Sequence, residues 1–585
     1  MTDRRNKPKN GGKTLLRLCR YLMKHRLKLC MVVLLVLINT ISAVGGNYYL
    51  RPVINNYIVP GNIKGLIGAM FVLLLIYLSG VVSLYLQNYI MIDVSQETVN
   101  DLRQELFSNV QELPVRFFDT TSHGQIMSRF TNDIDNISES LNNSITQILS
   151  SIFTVTGILC LMLFISPLLT LVTLVMVPLM RLIAKTLMKK SRAYFSSQQK
   201  ALGEIDGYME EVISGEKVVK VFSFEDNVEK EFNKLNSKLN KYSFRAQLYS
   251  QAIMPIMVSI NAINYALTAA VGGILAVKTG LDFGGLMVFL QYSRQFGRPI
   301  NELANQANAI QSALAGAERI FEIMDVSPER DNSENPVELK NVKGYVIFDH
   351  VTFSYDHIDT ILKDISLYAK PGQKIALVGA TGAGKTTITN LLTGFYDVDK
   401  GNIYIDGIDI NNIKKDSLRK SLAMVLQDTH LFSGTIMENI RYGRLDATDE
   451  EVIKAAKLAY ADSFIRRLPH GYDTVIEGDG SNLSQGQRQL LNIARAAIAD
   501  PPILILDEAT SSVDTMTERN IQKGMDGLML GRTTLVIAHR LSTVRNADAI
   551  MVLDHGQIIE RGSHEELLKQ KGIYYKLYTG AFELE

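Results

Sequence analysis

At 585 residues the chain exceeds what a single hydrophobic core organises, so two or more domains are expected. A formal net charge of +1 and a mean hydropathy slightly above zero exclude a strongly basic nucleic-acid binder and a disordered chain. That average conceals a division: the first half carries long apolar runs with few charges, and the second half reads as a soluble α/β protein.

The chain opens on a basic tail in which Arg4, Arg5, Lys7, Lys9, Lys13, Arg17, Arg20, Lys24, Arg26 and Lys28 are opposed only by Asp3. The apolar run from Leu29 is too long for a cleavable signal, so the tail is predicted to be a solvated juxtamembrane segment held in the cytosol by its charge. No fold signal for nucleic acid accompanies it, and no nucleic-acid partner is expected. Crossing a hydrocarbon core of about 30 Å takes about 20 mostly apolar residues. Six runs approach that: Leu29–Tyr49, Leu66–Ile90, Ile145–Ile165, Leu168–Leu187, Ile253–Val277 and Phe283–Tyr292 with its continuation. The sixth is the weakest, because Gln291, Arg294 and Gln295 make it either line an aqueous path or leave the membrane early. Span interiors otherwise offer Asn39, Asn47, Asn261, Asn264 and Tyr265. The scarcity of charge favours an uncharged or lipophilic ligand, or one bound near the span ends. Cys19, Cys30 and Cys160 lack metal-ligand spacing and read as small buried side chains outside any disulfide framework.

The connections alternate between short and long. Ser166-Pro167 joins the third and fourth runs, and residues 278–282 join the fifth and sixth. Residues 91–144 and 188–252 are instead polar, helix-periodic and rich in Lys and Arg, including Arg103, Arg116, Arg129, Lys189, Lys190, Arg192, Lys217 and Lys220. With the basic tail they place both termini and both long loops on the cytoplasmic side. Long helices extending from the membrane are the economical reading, since a structureless loop of that length is uncommon.

Phe117-Phe118-Asp119, Gly124, Ser128-Arg129 and Asp133 resemble the first intracellular loop of type IV ABC exporters. Residues 211–215 and 218–222 are similar to the second loop, and Gln311 with residues 317–325 to the end of the sixth span. The resemblance covers essentially the whole chain from about residue 20. It implies coupling helices near Pro114–Gly124 and Asp206–Glu216, each seated on a nucleotide-binding domain, the second on that of a partner subunit. The polar stretch 327–336 marks a boundary. The expected organisation is a multi-domain membrane protein: a tail at 1–28, an all-α six-helix transmembrane domain at 29–325, a linker at 326–340 and an α/β P-loop ABC ATPase domain at 341–585.

Within that last domain a short apolar strand, residues 374–378, leads into Gly379-Ala380-Thr381-Gly382-Ala383-Gly384-Lys385-Thr386 and then Thr387 in a helix. Glycines turn backbone N–H groups inward around phosphates, and the helix N-terminus adds partial positive charge. Lys385 is expected to reach the β- and γ-phosphates of ATP, and the Thr386 hydroxyl to ligate Mg²⁺. A second apolar run, residues 502–506, ends in Asp507-Glu508 at the carboxyl end of a buried strand. Asp507 is assigned to Mg²⁺ through water, and Glu508 to the general base. Leu483-Ser484-Gln485-Gly486-Gln487, opening a helix, resembles the ABC signature, which in the family meets the γ-phosphate held by the opposite subunit. The resemblance adds Tyr355 as the adenine-stacking aromatic, Gln427 as the Q-loop residue sensing Mg²⁺, Asp514 in the D-loop and His539 as the switch histidine.

Gln485 replaces the usual first glycine of the signature, and Gly478 stands where the family usually has glutamate. The half-site this chain keeps for itself shows no defect. The asymmetry favours a heterodimer with a second half-transporter over a homodimer, this chain supplying the competent base. The expected function is MgATP-driven export of an amphipathic small molecule, lipid or peptide across the plasma membrane. No protease domain precedes the first span, which disfavours a leader-peptide-cleaving exporter. The alternative, an ATP-gated channel or regulatory subunit with uncoupled hydrolysis, is opposed by Glu508 and His539.

Overall fold

The computed structural model describes residues 10–356, 358–426, 429–508, 514–538 and 544–579. The chain divides into two compact units, Met1–Gln111 with His123–Val326 and Glu112–Ser122 with Ser327–Glu585.

The first unit is helical. It contains α1 (Gly11–Met23), α2 (Arg26–Val53) and α3 (Ile63–Gln111); the short α4 (Val115–Thr120) belongs to the second unit. It continues through α5 (His123–Ser128), α6 (Ile134–Ile165), α7 (Pro167–Ser214), α8 (Glu216–Val221), α9 (Glu225–Thr279), α10 (Phe283–Gln295) and α11 (Gly297–Met324). The breaks follow local chemistry. Ser166 caps α7 by accepting from the Leu169 amide at 3.4 Å, and Pro167 supplies the preset φ of a first helical residue. Gly280, at φ +74°, ends α9 in the left-handed conformation, and Asp282 caps α10. Pro299 has no N–H to offer the Gln295 carbonyl, which accounts for the interruption between α10 and α11 at Phe296.

Among the described residues four helices are long and apolar enough to cross a membrane: Arg26–Ile58, Ile63–Gln111, His123–Ile165 and Glu225–Lys278. The described apolar stretch of α7, Pro167–Met176, is shorter, and the sixth rod is broken. The long polar segments are helices, as expected: α3, α7 and α9 run for 49, 48 and 55 residues. The second short helix differs in place from the sequence expectation. Residues 206–214 complete α7, the chain turns at Gly215, and the short helix is Glu216–Val221. The cysteines also differ, because Cys19, Cys30 and Cys160 are all exposed. On the membrane-crossing helices that carry Cys30 and Cys160 the outward face is the one that meets lipid, so an apolar thiol need not be turned inward; Cys19 lies on the outward face of α1.

Close helix contacts in this unit use small and polar residues. A Cβ on Gly80 of α3 would stand 2.6 Å from the Ser42 hydroxyl of α2, which itself donates to the Ile76 carbonyl. The buried Asp133 carboxylate binds Arg319 of α11, whose Nε lies at 3.0 Å, and takes Arg129 at 3.3 Å.

The second unit is α/β. Strands β1 (Val346–Ser354) and β2 (Thr360–Ala369) precede β3 (Lys374–Val378) and α12 (Lys385–Leu392). Then come β4 (Lys400–Ile405), β5 (Ile408–Asp409), α13 (Lys415–Lys420), β6 (Leu422–Val425), β7 (Gly434–Thr435) and α14 (Ile436–Arg441). They are followed by α15 (Asp449–Leu458), α16 (Asp462–Ile465), β8 (Val475–Ile476), α17 (Gln485–Ala499) and β9 (Ile503–Glu508). Last are α18 (Thr515–Met529), β10 (Thr533–Ala538), β11 (Ala549–Asp554) and β12 (Gln557–Gly562). A six-stranded sheet has the order β12-β11-β3-β10-β9-β6, parallel except for β12, and an antiparallel sheet has the order β2-β1-β4-β5. Successive residues of the parallel strands serve opposite cores. Val378, Leu504, Leu506 and Val536 join the helical side, whereas Ile375, Leu377, Ile505 and Leu535 join the side of α12 and the antiparallel sheet. Strands covered on both faces read as continuous apolar runs for this reason.

Candidate nucleotide site

The parallel register sets the site. β3, β10, β9 and β6 all run the same way, so their carboxyl ends share one edge of the sheet. β3 ends at Val378, directly before Gly379; β9 ends in Asp507 and Glu508, which pair with Ile537 and Ala538 of β10. The sequence places Gln427 just beyond β6 and His539 just beyond β10; both lie outside the described residues, as does the side chain of Glu508.

Between β3 and α12 the loop 379–384 closes tightly. A Cβ on Gly379 would stand 2.3 Å from the Leu553 carbonyl oxygen, so only glycine fits there. Gly384 takes φ +101°, and its Cβ would meet Leu362 at 2.5 Å. No side chain caps α12, so the amides of its first turn remain available to an anion. Lys385 is buried and donates to the carbonyls of Gly379 at 2.6 Å and Ala380 at 2.9 Å. Burial lowers its pKa, and the nearby Asp507 carboxylate acts in the opposite sense. Lys385 and Asp507 are thus brought together, with Thr386 beside them on the first turn of α12. Thr381, Gly382 and Ala383 complete the loop, and Thr387 is buried on the same helix.

Tyr355 follows β1 and is half-buried. Its hydroxyl donates to Thr387 at 3.3 Å and accepts from the Asn390 amide at 3.3 Å, so the aromatic is fixed to the phosphate-loop helix. Its ring lies edge-on to Phe353 and Tyr396, with centroids 4.9 Å away in both cases. Tyr396 in turn donates to Asp119, which follows Phe118 in α4. Burial pushes the Tyr396 hydroxyl pKa up, and the Asp119 hydrogen bond adds to it. Tyr396 was invisible to motif reading: it is one aromatic after a helix, and only the fold sets it between Tyr355 and Asp119.

Ser484 is the N-cap of α17 and forms a reciprocal capping box with Gln487, its hydroxyl accepting from the Gln487 amide at 3.3 Å. Gly486 is buried and Gln485 exposed. Among the described residues no hydrogen bond or ion pair joins Ser484, Gln485, Gly486 or Gln487 to the phosphate loop. Gly478 has φ +53°, a conformation that the glutamate usual in the family would hold only under strain. Asp479, beside Gly478 in the same departure from the family pattern, has no role on sequence grounds; it accepts from the Leu431 amide at 2.9 Å and pairs with His430 at 3.2 Å. Asp514 caps α18 by accepting from Thr517 at 2.9 Å and Met516 at 3.1 Å, and these bonds hold its carboxyl below the usual range.

Two family models match: "ABC transporter transmembrane region" over residues 29–300, and "ABC transporter" over residues 362–511. The uncharacterized ABC transporter ATP-binding protein YfiC of Bacillus subtilis (strain 168) is 49% identical over 580 residues, covering 99% of this chain and 96% of that one. A fatty acid ABC transporter ATP-binding/permease protein of Mycobacterium bovis is 43% identical over 504 residues, 86% of this chain and 80% of its own length. A solved structure of a bacterial Atm1-family ABC exporter with ATP bound superposes with a TM-score of 0.75 at 29% identity, covering 95% and 98% of the two chains. The cassette binds ATP, and a chain with one membrane domain and one cassette works as half of a dimer. Helical membrane unit, parallel-sheet cassette and these relatives agree on one conclusion: the chain belongs to the ABC transporter family, as an exporter half that couples ATP hydrolysis to transport across a membrane.

Proposed function

We propose that the chain exports a lipid-like amphiphile from the cytoplasmic side of the plasma membrane, driven by MgATP hydrolysis at a site completed by a second half-transporter. The carrying observation is the shared carboxyl edge of β3, β10, β9 and β6, which gathers the phosphate loop, Asp507 and Glu508. Gly379, Thr381, Gly382, Ala383, Gly384, Lys385, Thr386 and Thr387 hold the phosphates, and Tyr355 stacks on the base. Thr386, Asp507 and Gln427 would hold Mg²⁺; hard oxygen donors beside a phosphate loop suit that ion, which when bound neutralises phosphate charge. Glu508 deprotonates the attacking water, and His539 contacts the γ-phosphate. Ser484, Gln485, Gly486, Gln487 and Asp514 serve the nucleotide of the partner subunit.

The domain boundaries follow the same reading: tail 1–28, transmembrane domain 29–325, linker 326–340 and cassette 341–585. The basic tail and the basic segments 91–144 and 188–252 support cytoplasmic termini. The 43% identical mycobacterial relative, named for fatty acid transport, supports a lipid-like substrate. Gln485 in the signature supports a heterodimer. In proteoliposomes, a fluorescent fatty acid is expected to move only with hydrolysable nucleotide; ATP-independent movement, or none, contradicts the proposal.

A further inference from the structure

The sixth rod presents one continuous exposed stripe. Phe283, Met287, Gln291, Arg294 and Arg298 recur every three or four residues, all exposed, and Asn305 and Asn308 continue the polar part. The opposite face, Val288, Phe289, Tyr292 and Phe296, is buried in the unit's own core. At about 1.5 Å per residue, Arg294 lies about 18 Å along the axis from the cap at Asp282. That is near the middle of a hydrocarbon core of about 30 Å.

The charges on this stripe are not balanced. Arg298 donates through Nε to Glu302 at 2.9 Å, and Glu302 also accepts from Gln147 at 2.6 Å and Ser151 at 3.4 Å. That carboxylate is therefore fully engaged, while the outer edge of the Arg298 guanidinium stays open, its side chain 85% exposed. Arg294 has no ion-pair or hydrogen-bond partner among the described residues. An unpaired guanidinium at mid-depth is costly against lipid and is retained where it lines an aqueous path or meets a ligand. The interruption at Phe296, between the two arginines, fits the same reading, since broken helices at membrane depth line cavities.

We infer that Arg294, with the open edge of Arg298, receives the anionic headgroup of a single-chain amphiphile, a carboxylate or a phosphate, whose acyl chain lies along Phe283 and Met287. The inference rests on the export reading and narrows its substrate class. It also sharpens the sequence expectation of an uncharged or lipophilic ligand, or one bound near the span ends, which weighs the number of charges and not whether each is paired. Guanidinium suits both headgroups, because its planar fork donates two parallel hydrogen bonds.

The test is binding to the full chain in nanodiscs, using palmitate, hexadecyl phosphate and hexadecanol, which share one chain length. At least one anion is expected to bind about tenfold tighter than the alcohol, as charge-assisted hydrogen bonds warrant; which anion does so separates carboxylate from phosphate. Arg294→Gln is expected to erase most of that advantage and Arg294→Lys, which keeps the charge and loses the fork, to retain part of it. Equal binding of all three probes by the wild type overturns the inference without any variant, and so does an undiminished preference in Arg294→Gln. ATP-driven movement of hexadecanol without anion preference would overturn it and leave export standing. Anion preference without ATP-driven movement of any probe would instead overturn the export reading and keep Arg294 as the anion site.

Discussion

In the cassette the parallel strands bury Ile375, Leu377, Leu504, Ile505, Leu535 and Ile537, as a protein dissolved in water must. In the apolar runs of the helical unit the buried side chains include Ser42, Ser83, Thr170, Thr173 and Thr268, while Val81, Tyr85, Phe164 and Val277 point outward. The contrast follows from the solvent. Water rewards turning leucine inward; lipid does not, so membrane helices associate through close backbone approach and hydrogen bonds. Small polar side chains that would be unremarkable at the cassette surface thus share in the packing of the other unit, beside apolar ones such as Ile158, Val288 and Phe289.

Four substitutions sharpen or break this contrast. Lys385→Ala removes a preorganised buried donor, and ATP turnover is expected to fall by about 10²–10³ in a steady-state assay. Gly80→Val drives a branched side chain into Ser42 across the α2–α3 contact. A loss of about 1–3 kcal/mol is expected on thermal unfolding in detergent; a neutral outcome would show that close approach does not hold these helices. Tyr355→Ala is expected to weaken ATP binding by about 1–3 kcal/mol in titration calorimetry, while stability of the helical unit is unchanged. The smallest effect concerns Asp282, whose carboxyl is held at about 2 mainly by Arg51, with burial opposing and Asn55 and the Gly285 amide adding to Arg51. A lowered carboxylate pKa stabilises above its unfolded value of 3.8 and loses that contribution as pH falls through about 2. Asp282→Asn should therefore cost about 1–2 kcal/mol at neutral pH, discounted for partial exposure, and the gap from wild type should close in acid.

The same contrast governs what could be read beforehand. Lys385 and Thr386 stand in a contiguous motif after a five-residue strand, and the strand pattern alone predicts which edge they occupy. Tyr396, His430 and Asp479 belong to no such motif; their partners are distant in sequence and meet only through the fold. In the helical unit hydropathy marked the runs but not their faces. The buried face mixes serine and threonine with apolar side chains and the outward face is apolar too, so no amphipathic period distinguishes them, and Cys19, Cys30 and Cys160 are exposed where the sequence suggests burial. The second short helix begins at Glu216, ten residues beyond the Asp206 that the sequence suggests, because residues 206–214 are as helix-periodic as the turns before them and only Gly215 marks the end. Arg294 is visible as a charge in an apolar run, yet only the structure shows that no described residue pairs with it.

The most direct test of the central claim is hydrolysis after Glu508→Gln, in the chain purified from its membrane together with whatever half-transporter accompanies it. The account predicts that ATP still binds, the dimer persists, and turnover falls by about a hundredfold or more, as loss of a general base requires. Turnover close to that of the wild-type complex would contradict it.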